Sequence, residues 1–235
     1  MIDFALKRIR GRTLRLINSR YPPIDIFDGL YDTEEEKRIA LELELATNPR
    51  ANEILGRLSA LPQGSLPVEG RGDGAAYVVA SFLYTSQEGG RYNGEGLGAW
   101  YAARNIKTAI AETSYHNERR LRASVGGFPN RIQLRELVAT IDLRLVDIRG
   151  LRDEASELYH STDYTGSQAF ANDIRWPHHE DGKDGLVYDS VRHDGGENIV
   201  IFRPQAIPLP VMQGDHYQYD WDRNGEMTVS KLSGV

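Results

Sequence analysis

The sequence predicts an α+β fold: a mixed, mostly antiparallel sheet with a few flanking helices. Two observations predict it. Strand-type apolar runs outnumber helical ones, and the two do not alternate in the regular βαβ manner of a doubly wound sheet. The chain also ends in two short runs around Asn224-Gly225, a dipeptide favoured in hairpin turns. Its 235 residues suit a single domain, and a hydrophobic fraction of 40% with 26% charged residues is ordinary for a globular chain.

Taken in order, the N-terminal stretch is basic. Lys7, Arg8, Arg10, Arg12, Arg15 and Arg20 stand against Asp3 within residues 1–20, and residues 1–12 read as a solvated basic arm. Residues 33–47, TEEEKRIALELELAT, read as a helix: Thr33 and Glu36 make a capping box, the acidic first turn suits the helix dipole, and Asn48-Pro49 ends it. A shorter helix over 52–58 completes an acidic helical insertion of about 33–60. Residues 62–74, with two prolines and four glycines, form a loop.

Ala75–Leu83, AAYVVASFL, reads as a strand because it is a nearly continuous apolar run. The glycine-rich GGRYNGEGLG of 89–98 leads into a short strand over 99–103. Asn105 caps a helix from Ile106 to about Arg122, whose apolar positions Ile106, Ala109 and Ile110, with Thr113, follow the 3.6-residue period. Residues 131–149 read as strand, and 167–176 as a short helix closed by Pro177. Strands at 185–189 and 198–202 are joined by a polar loop containing Gly195-Gly196. The terminal hairpin occupies about 215–233.

Composition excludes several chemistries. The chain has no cysteine, which removes disulfides, thiolate zinc sites and a cysteine nucleophile. A formal net charge of −6 disfavours general nucleic-acid binding, which needs a basic face. No signal-peptide core or membrane span is visible, so a cytoplasmic location without membrane contact is expected. His178, His179 and His193 lack any metal-ligand spacing, and no metal is expected. Gly94-Glu95-Gly96-Leu97-Gly98 precedes a strand instead of following one, which argues against a dinucleotide fingerprint. Its glycines are expected to serve a tight turn and close backbone approach.

The informative stretch runs from Gly89 to His116. Arg91 sits in a glycine-rich turn, Tyr101 lies on the next strand, and Glu112 and His116 are four residues apart, hence on one helix face. Singly these read as a surface arginine, a core aromatic and a surface pair. Together they supply a guanidinium for a phosphate, an aromatic for stacking and a carboxylate for a sugar hydroxyl or a developing cation.

GGRYN, AWYAARNIKTAIAETSYH and GLVYDSVRHDGGENIVIFRP resemble, in that order, the motifs of the RES-domain family, toxins of bacterial toxin–antitoxin modules. The order Arg91, Tyr101, Glu112, Ser190 is similar to the family's. TLRLINSRYPP looks like its N-terminal strand and places Arg15 at its usual arginine. DYTGSQAF resembles its hydroxyl-Gly-x-Gln segment, which puts Thr165 and Gln168 near the site. The acidic 33–60 stretch, absent from small members, marks the longer branch.

The resemblance implies an ADP-ribosyltransferase-like core with an NAD-binding cleft, and NAD⁺ as a consumed substrate. Catalytic roles are implied for Arg91, Tyr101, Glu112 and Ser190, and substrate binding for Arg15, Arg91, Tyr101, Thr165, Ser190 and His116. His116 is expected to act as a structural partner of the glutamate helix, not as the base. The acceptor would be water, inorganic phosphate or a protein side chain, so glycohydrolase, phosphorylase and ADP-ribosyltransferase remain open. A non-catalytic nucleotide-binding module is the reading from another class. The resemblance also implies a cognate Xre-type, ParS-like antitoxin that blocks the active site.

Overall fold

A computed structural model describes residues 4–19, 74–83, 88–176, 178 and 181–233. Seven strands form one mixed sheet: β1 (Leu6–Asn18), β2 (Trp100–Ala103), β3 (Asn130–Asp147), β4 (Gly185–Asp189), β5 (Glu197–Ile201), β6 (Met212–Trp221) and β7 (Met227–Leu232). Among the described residues three α-helices accompany them: α1 (Ala75–Leu83), α2 (Ile106–Ala123) and α3 (Thr165–Ile174). The fold is α+β, as the sequence predicts.

The long β3 organises the sheet. Along one edge it pairs antiparallel with β1, from Leu6 opposite Val146 to Asn18 opposite Leu134. Its other edge takes β6 antiparallel over its first half and β4 in parallel at Val146 and Asp147. β4 pairs with β5, β5 with β2, and β2 returns to β1 through Leu14 opposite Ala103. The pairings therefore run in a circuit, β1–β2–β5–β4–β3–β1, with the β6–β7 hairpin as an extension. Gly225, at φ +84°, occupies the hairpin turn in a conformation that favours glycine.

The strands that close this circuit are apolar nearly throughout. Leu186, Val187, Ile199, Val200 and Ile201 are fully buried, so β4 and β5 are covered on both faces. Val187, Ile199 and Ile201 pack with Trp100, Leu137, Val78 and Phe82 in one cluster; Leu186 and Val200 join Tyr92, Ile148 and Phe202 in another.

Two expectations are corrected. Ala75–Leu83 is a helix, not a strand. Its buried residues Ala75, Val78, Phe82 and Leu83 fall on one helical face, and a short apolar run does not distinguish the two states by periodicity. Residues 6–12 are not a solvated arm but half of β1, backbone-paired to β3 over 140–146 while their arginines face outward. Charge on an edge-facing strand surface and charge on an arm look alike in sequence. Smaller shifts occur at α3, which starts at Thr165 and ends at Ile174, and at β6, which starts earlier, at Met212. The expected helices over 33–47 and 52–58, and residues 62–73 of the expected loop, lie outside the described residues. Among the described residues no helix is long and apolar enough to cross a membrane.

Candidate active site

The glycine-rich turn is held by close contacts. Gly89 has φ +71° and Gly90 exchanges backbone hydrogen bonds with Asn93. A Cβ on Gly90 would lie 2.6 Å from Asn93 Oδ1 and 2.9 Å from the Tyr101 hydroxyl. At Gly98 a Cβ would fall 2.2 Å from Phe82 Cα, so this glycine lets the loop lie against α1. The Gln168 side chain, from α3, donates to the Gly90 carbonyl at 2.9 Å and fixes the turn from outside.

This turn, β1, β2, α2, β4 and β5 enclose a cleft of about 230 Å³. Arg15, Arg91, Tyr101, Glu112 and His116 all line it. Five of the residues singled out in the sequence, from four different segments, thus converge on one cavity. Tyr188 and Asn198 line it as well, and sequence reasoning missed both. Tyr188 reads as an ordinary core aromatic within LVYD. Asn198 carried a signal: it is an amide that is 97% shielded in the otherwise apolar strand NIVIF, where a polar residue needs a partner.

Glu112 is that partner. Asn198 Nδ2 donates to Glu112 Oε1 at 2.7 Å, and the Ser190 hydroxyl donates to the same oxygen at 2.7 Å. Ser190 Oγ in turn accepts the backbone N–H groups of Arg192 at 3.1 Å and His193 at 3.0 Å. The serine is therefore buried inside the protein's own network. It orients the carboxylate and is spent on that task. Glu112 Oε2 has no hydrogen-bond partner among the described residues and faces the cleft.

α2 aims Glu112 because its N-terminal end is fixed. The Asn105 side chain accepts the Thr108 N–H at 2.9 Å as a cap, and Thr108 Oγ1 bonds His193 Nδ1 at 2.8 Å. The segment carrying Ser190 is thereby tied to the start of the helix carrying Glu112. One turn beyond Glu112, His116 stands at the exposed mouth of the cleft. Desolvation, helped by Arg192, Arg91 and Arg119, pushes its pKa below the ordinary histidine value, against the pull of Glu112.

The two arginines differ. Arg91 is buried; its Nη1 donates to the His160 carbonyl at 2.6 Å, and its guanidinium lies 4.7 Å from the centre of the Tyr164 ring. Arg15 donates to the Tyr101 carbonyl at 3.0 Å and lies 5.1 Å from the centre of the Trp100 ring. Burial lowers the Arg15 pKa to about 10, so it stays cationic at neutral pH. Neither has a carboxylate partner among the described residues. A cleft lined by one buried and one half-buried arginine, with no carboxylate paired to either among the described residues, attracts an anion.

Tyr101 is locked in place. Its hydroxyl donates to Asn93 Oδ1 at 2.6 Å and accepts the Tyr92 N–H at 2.8 Å. Burial raises its pKa well above the usual phenol range, so it stays protonated. The ring remains a wall of the cleft. Thr165 is not brought to the cavity; it opens α3 at an exposed position, its N–H donating to Asp163 Oδ1.

Comparison with known proteins gives three findings. The model of the RES domain matches residues 70–222. An uncharacterized protein, y4oC, of Sinorhizobium fredii is 25% identical over 223 residues, covering 91% of this chain and 84% of that protein. A chain from the crystal structure of the Mycobacterium tuberculosis MbcT–MbcA toxin–antitoxin complex aligns with 90% of this chain and 85% of its own length, at 14% identity and a TM-score of 0.44.

Proposed function

The chain belongs to the RES-domain family, and from that premise and the chemistry of the cleft we propose that it is an NAD⁺-consuming enzyme, the toxin of a toxin–antitoxin module. The observation that carries the reading is Glu112. One of its oxygens is held by Ser190 and Asn198, and the other has no partner among the described residues, in a cleft that also holds Arg15 and Arg91.

NAD⁺ brings its own leaving group, a cationic nicotinamide that departs neutral, so no strong general acid is needed. Breaking the glycosidic bond develops oxocarbenium character on the ribose. A carboxylate fixed before the reaction stabilises that charge without reorganising and can accept a hydrogen bond from a ribose hydroxyl. Arg91 and Arg15 serve the pyrophosphate; a hydrogen bond to a charged group contributes about 1.5–3 kcal/mol. Tyr101 offers its ring to the nicotinamide. Attack by water at the anomeric carbon yields ADP-ribose, nicotinamide and a proton. Attack by inorganic phosphate yields the ADP-ribosyl phosphate ester instead. A protein acceptor would make the chain an ADP-ribosyltransferase. The antitoxin partner follows from the family resemblance, and blocking this cleft is the simplest way for it to act.

The test is to incubate the purified protein with NAD⁺, with and without inorganic phosphate, and identify the products. Loss of NAD⁺ with release of nicotinamide is expected, and the second product names the acceptor. NAD⁺ left intact under both conditions, together with a labelled target protein when a cell extract is added, would replace this reading with the transferase.

A further inference from the structure

Buried tyrosines around the cleft have their hydroxyls committed. Tyr92 donates to the Leu158 carbonyl at 3.1 Å, Tyr101 to Asn93, and Tyr159 to the Ile148 carbonyl at 2.5 Å. Tyr188 is different. Its ring is clamped edge-on against Tyr92, with centroids 4.7 Å apart, and the residue is only 5% exposed. Its hydroxyl makes no hydrogen bond among the described residues, yet it is not one of the sealed polar atoms of the interior. Tyr188 lines the cleft, so the cleft is the space its hydroxyl meets.

Retaining a hydroxyl at such a position is unfavourable when nothing binds it; phenylalanine would fill the same space without leaving a polar group unpaired. Burial, with Glu112 nearby, also holds the Tyr188 pKa well above the usual phenol range. The group is thus a neutral donor throughout the physiological range, on the same cleft that Glu112 lines.

We propose that Tyr188 is a ligand-contacting residue whose hydroxyl donates to an oxygen of the nicotinamide riboside half of NAD⁺, beside the hydroxyl that Glu112 accepts. This rests on the reading of the chain as NAD⁺-consuming. A neutral donor beside a fixed carboxylate acceptor matches a ligand group that offers both an acceptor and a donor, as a sugar diol or a primary carboxamide does. It does not match a phosphate, which Arg15 and Arg91 serve better.

The test compares wild type, Tyr188→Phe and Tyr92→Phe in three measurements: thermal stability, NAD⁺ turnover, and competition by ADP, which lacks the nicotinamide riboside half. Tyr188→Phe is expected to melt at or above the wild-type temperature, because it loses no internal bond, whereas Tyr92→Phe melts lower. Tyr188→Phe should raise KM for NAD⁺ about tenfold, the loss of one neutral hydrogen bond, while inhibition by ADP is unchanged. Unchanged KM and kcat would overturn the assignment, as would a melting loss equal to that of Tyr92→Phe or an equal weakening of ADP. A wild-type protein that neither binds nor consumes NAD⁺ would overturn the proposed function first and this inference with it.

Discussion

At the scale of single residues, the site separates groups that meet a ligand from groups that aim them. Ser190 has the right position in the sequence to be read as a substrate contact, but its hydroxyl is engaged by Glu112 and by two backbone N–H groups. It is a positioning residue. Among the described residues Ser190→Ala leaves only Asn198 holding Glu112, and the carboxylate drifts. Misplacement of a catalytic group by about 1 Å can cost about 100-fold in rate. We expect steady-state kinetics of Ser190→Ala to show a kcat lower by about that factor with KM little changed, and Ser190→Thr to recover part of it. A substitution that acted only by loosening the fold would lower the melting temperature and would not separate kcat from KM in this way.

Much of the site is legible in the sequence because its residues sit in recognisable local settings, Arg91 between glycines and Glu112 and His116 four apart on a capped helix, while Arg15 is legible only through the family resemblance. Asn198 and Tyr188 are not, because their roles depend on what lies across the cleft. The amide matters because Glu112 faces it, and the hydroxyl matters because no hydrogen-bond partner meets it among the described residues.

At the scale of elements, the sheet holds the cleft open by joining β1, β3 and β5 at charged as well as apolar points. Asp147, at the end of β3, bonds Arg149 at 2.8 Å and Lys7 of β1 at 2.8 Å, and Arg149 reaches Glu197 of β5 at 2.7 Å. The Asp147 side chain is 4% exposed, and Arg149 above all, with Lys7, holds its carboxyl well below the usual range. A carboxylate whose pKa falls on folding contributes stability that is complete above its unfolded value near 4. That contribution shrinks as the pH falls below it. Asp147→Asn leaves no unpaired buried charge, because Lys7 is exposed and Arg149 keeps Glu197, so its cost is that of the charged hydrogen bonds lost. Chemical denaturation should show Asp147→Asn less stable by about 2 kcal/mol at pH 7, with the gap to wild type narrowing below about pH 4. A gap independent of pH would place the effect in packing, not charge.

The element scale is also where the sequence misleads. AAYVVASFL carries β-type residues in a continuous run, and only tertiary contact selects the helix: Val78 and Phe82 enter the core that Trp100 and Ile201 share. The basic residues 6–12 show the converse. Their charge suggests an arm, while their backbone is committed to β3, and Arg8 and Arg10 both reach Asp142 there.

At the scale of the whole molecule, net charge and local field part company. The chain is acidic overall, at −6, yet its cleft gathers Arg15 and Arg91 without a carboxylate partner among the described residues. A global charge sets solubility and non-specific contacts; it does not set what a cavity binds. The fold brings together, from β1, the glycine-rich turn, α2 and β5, the two features that the proposed NAD⁺ cleavage would use: cations suited to a pyrophosphate and a preoriented carboxylate suited to a ribose. The central claim is that Glu112 performs the second. It is tested most directly by following NAD⁺ and nicotinamide over time with wild type and Glu112→Gln at equal concentration, after confirming equal melting temperatures and retained NAD⁺ binding. The account predicts that wild type consumes NAD⁺ and that Glu112→Gln binds it while losing at least about 100-fold in rate, the scale on which preoriented electrostatic groups act. A Glu112→Gln protein that consumes NAD⁺ at the wild-type rate would contradict it.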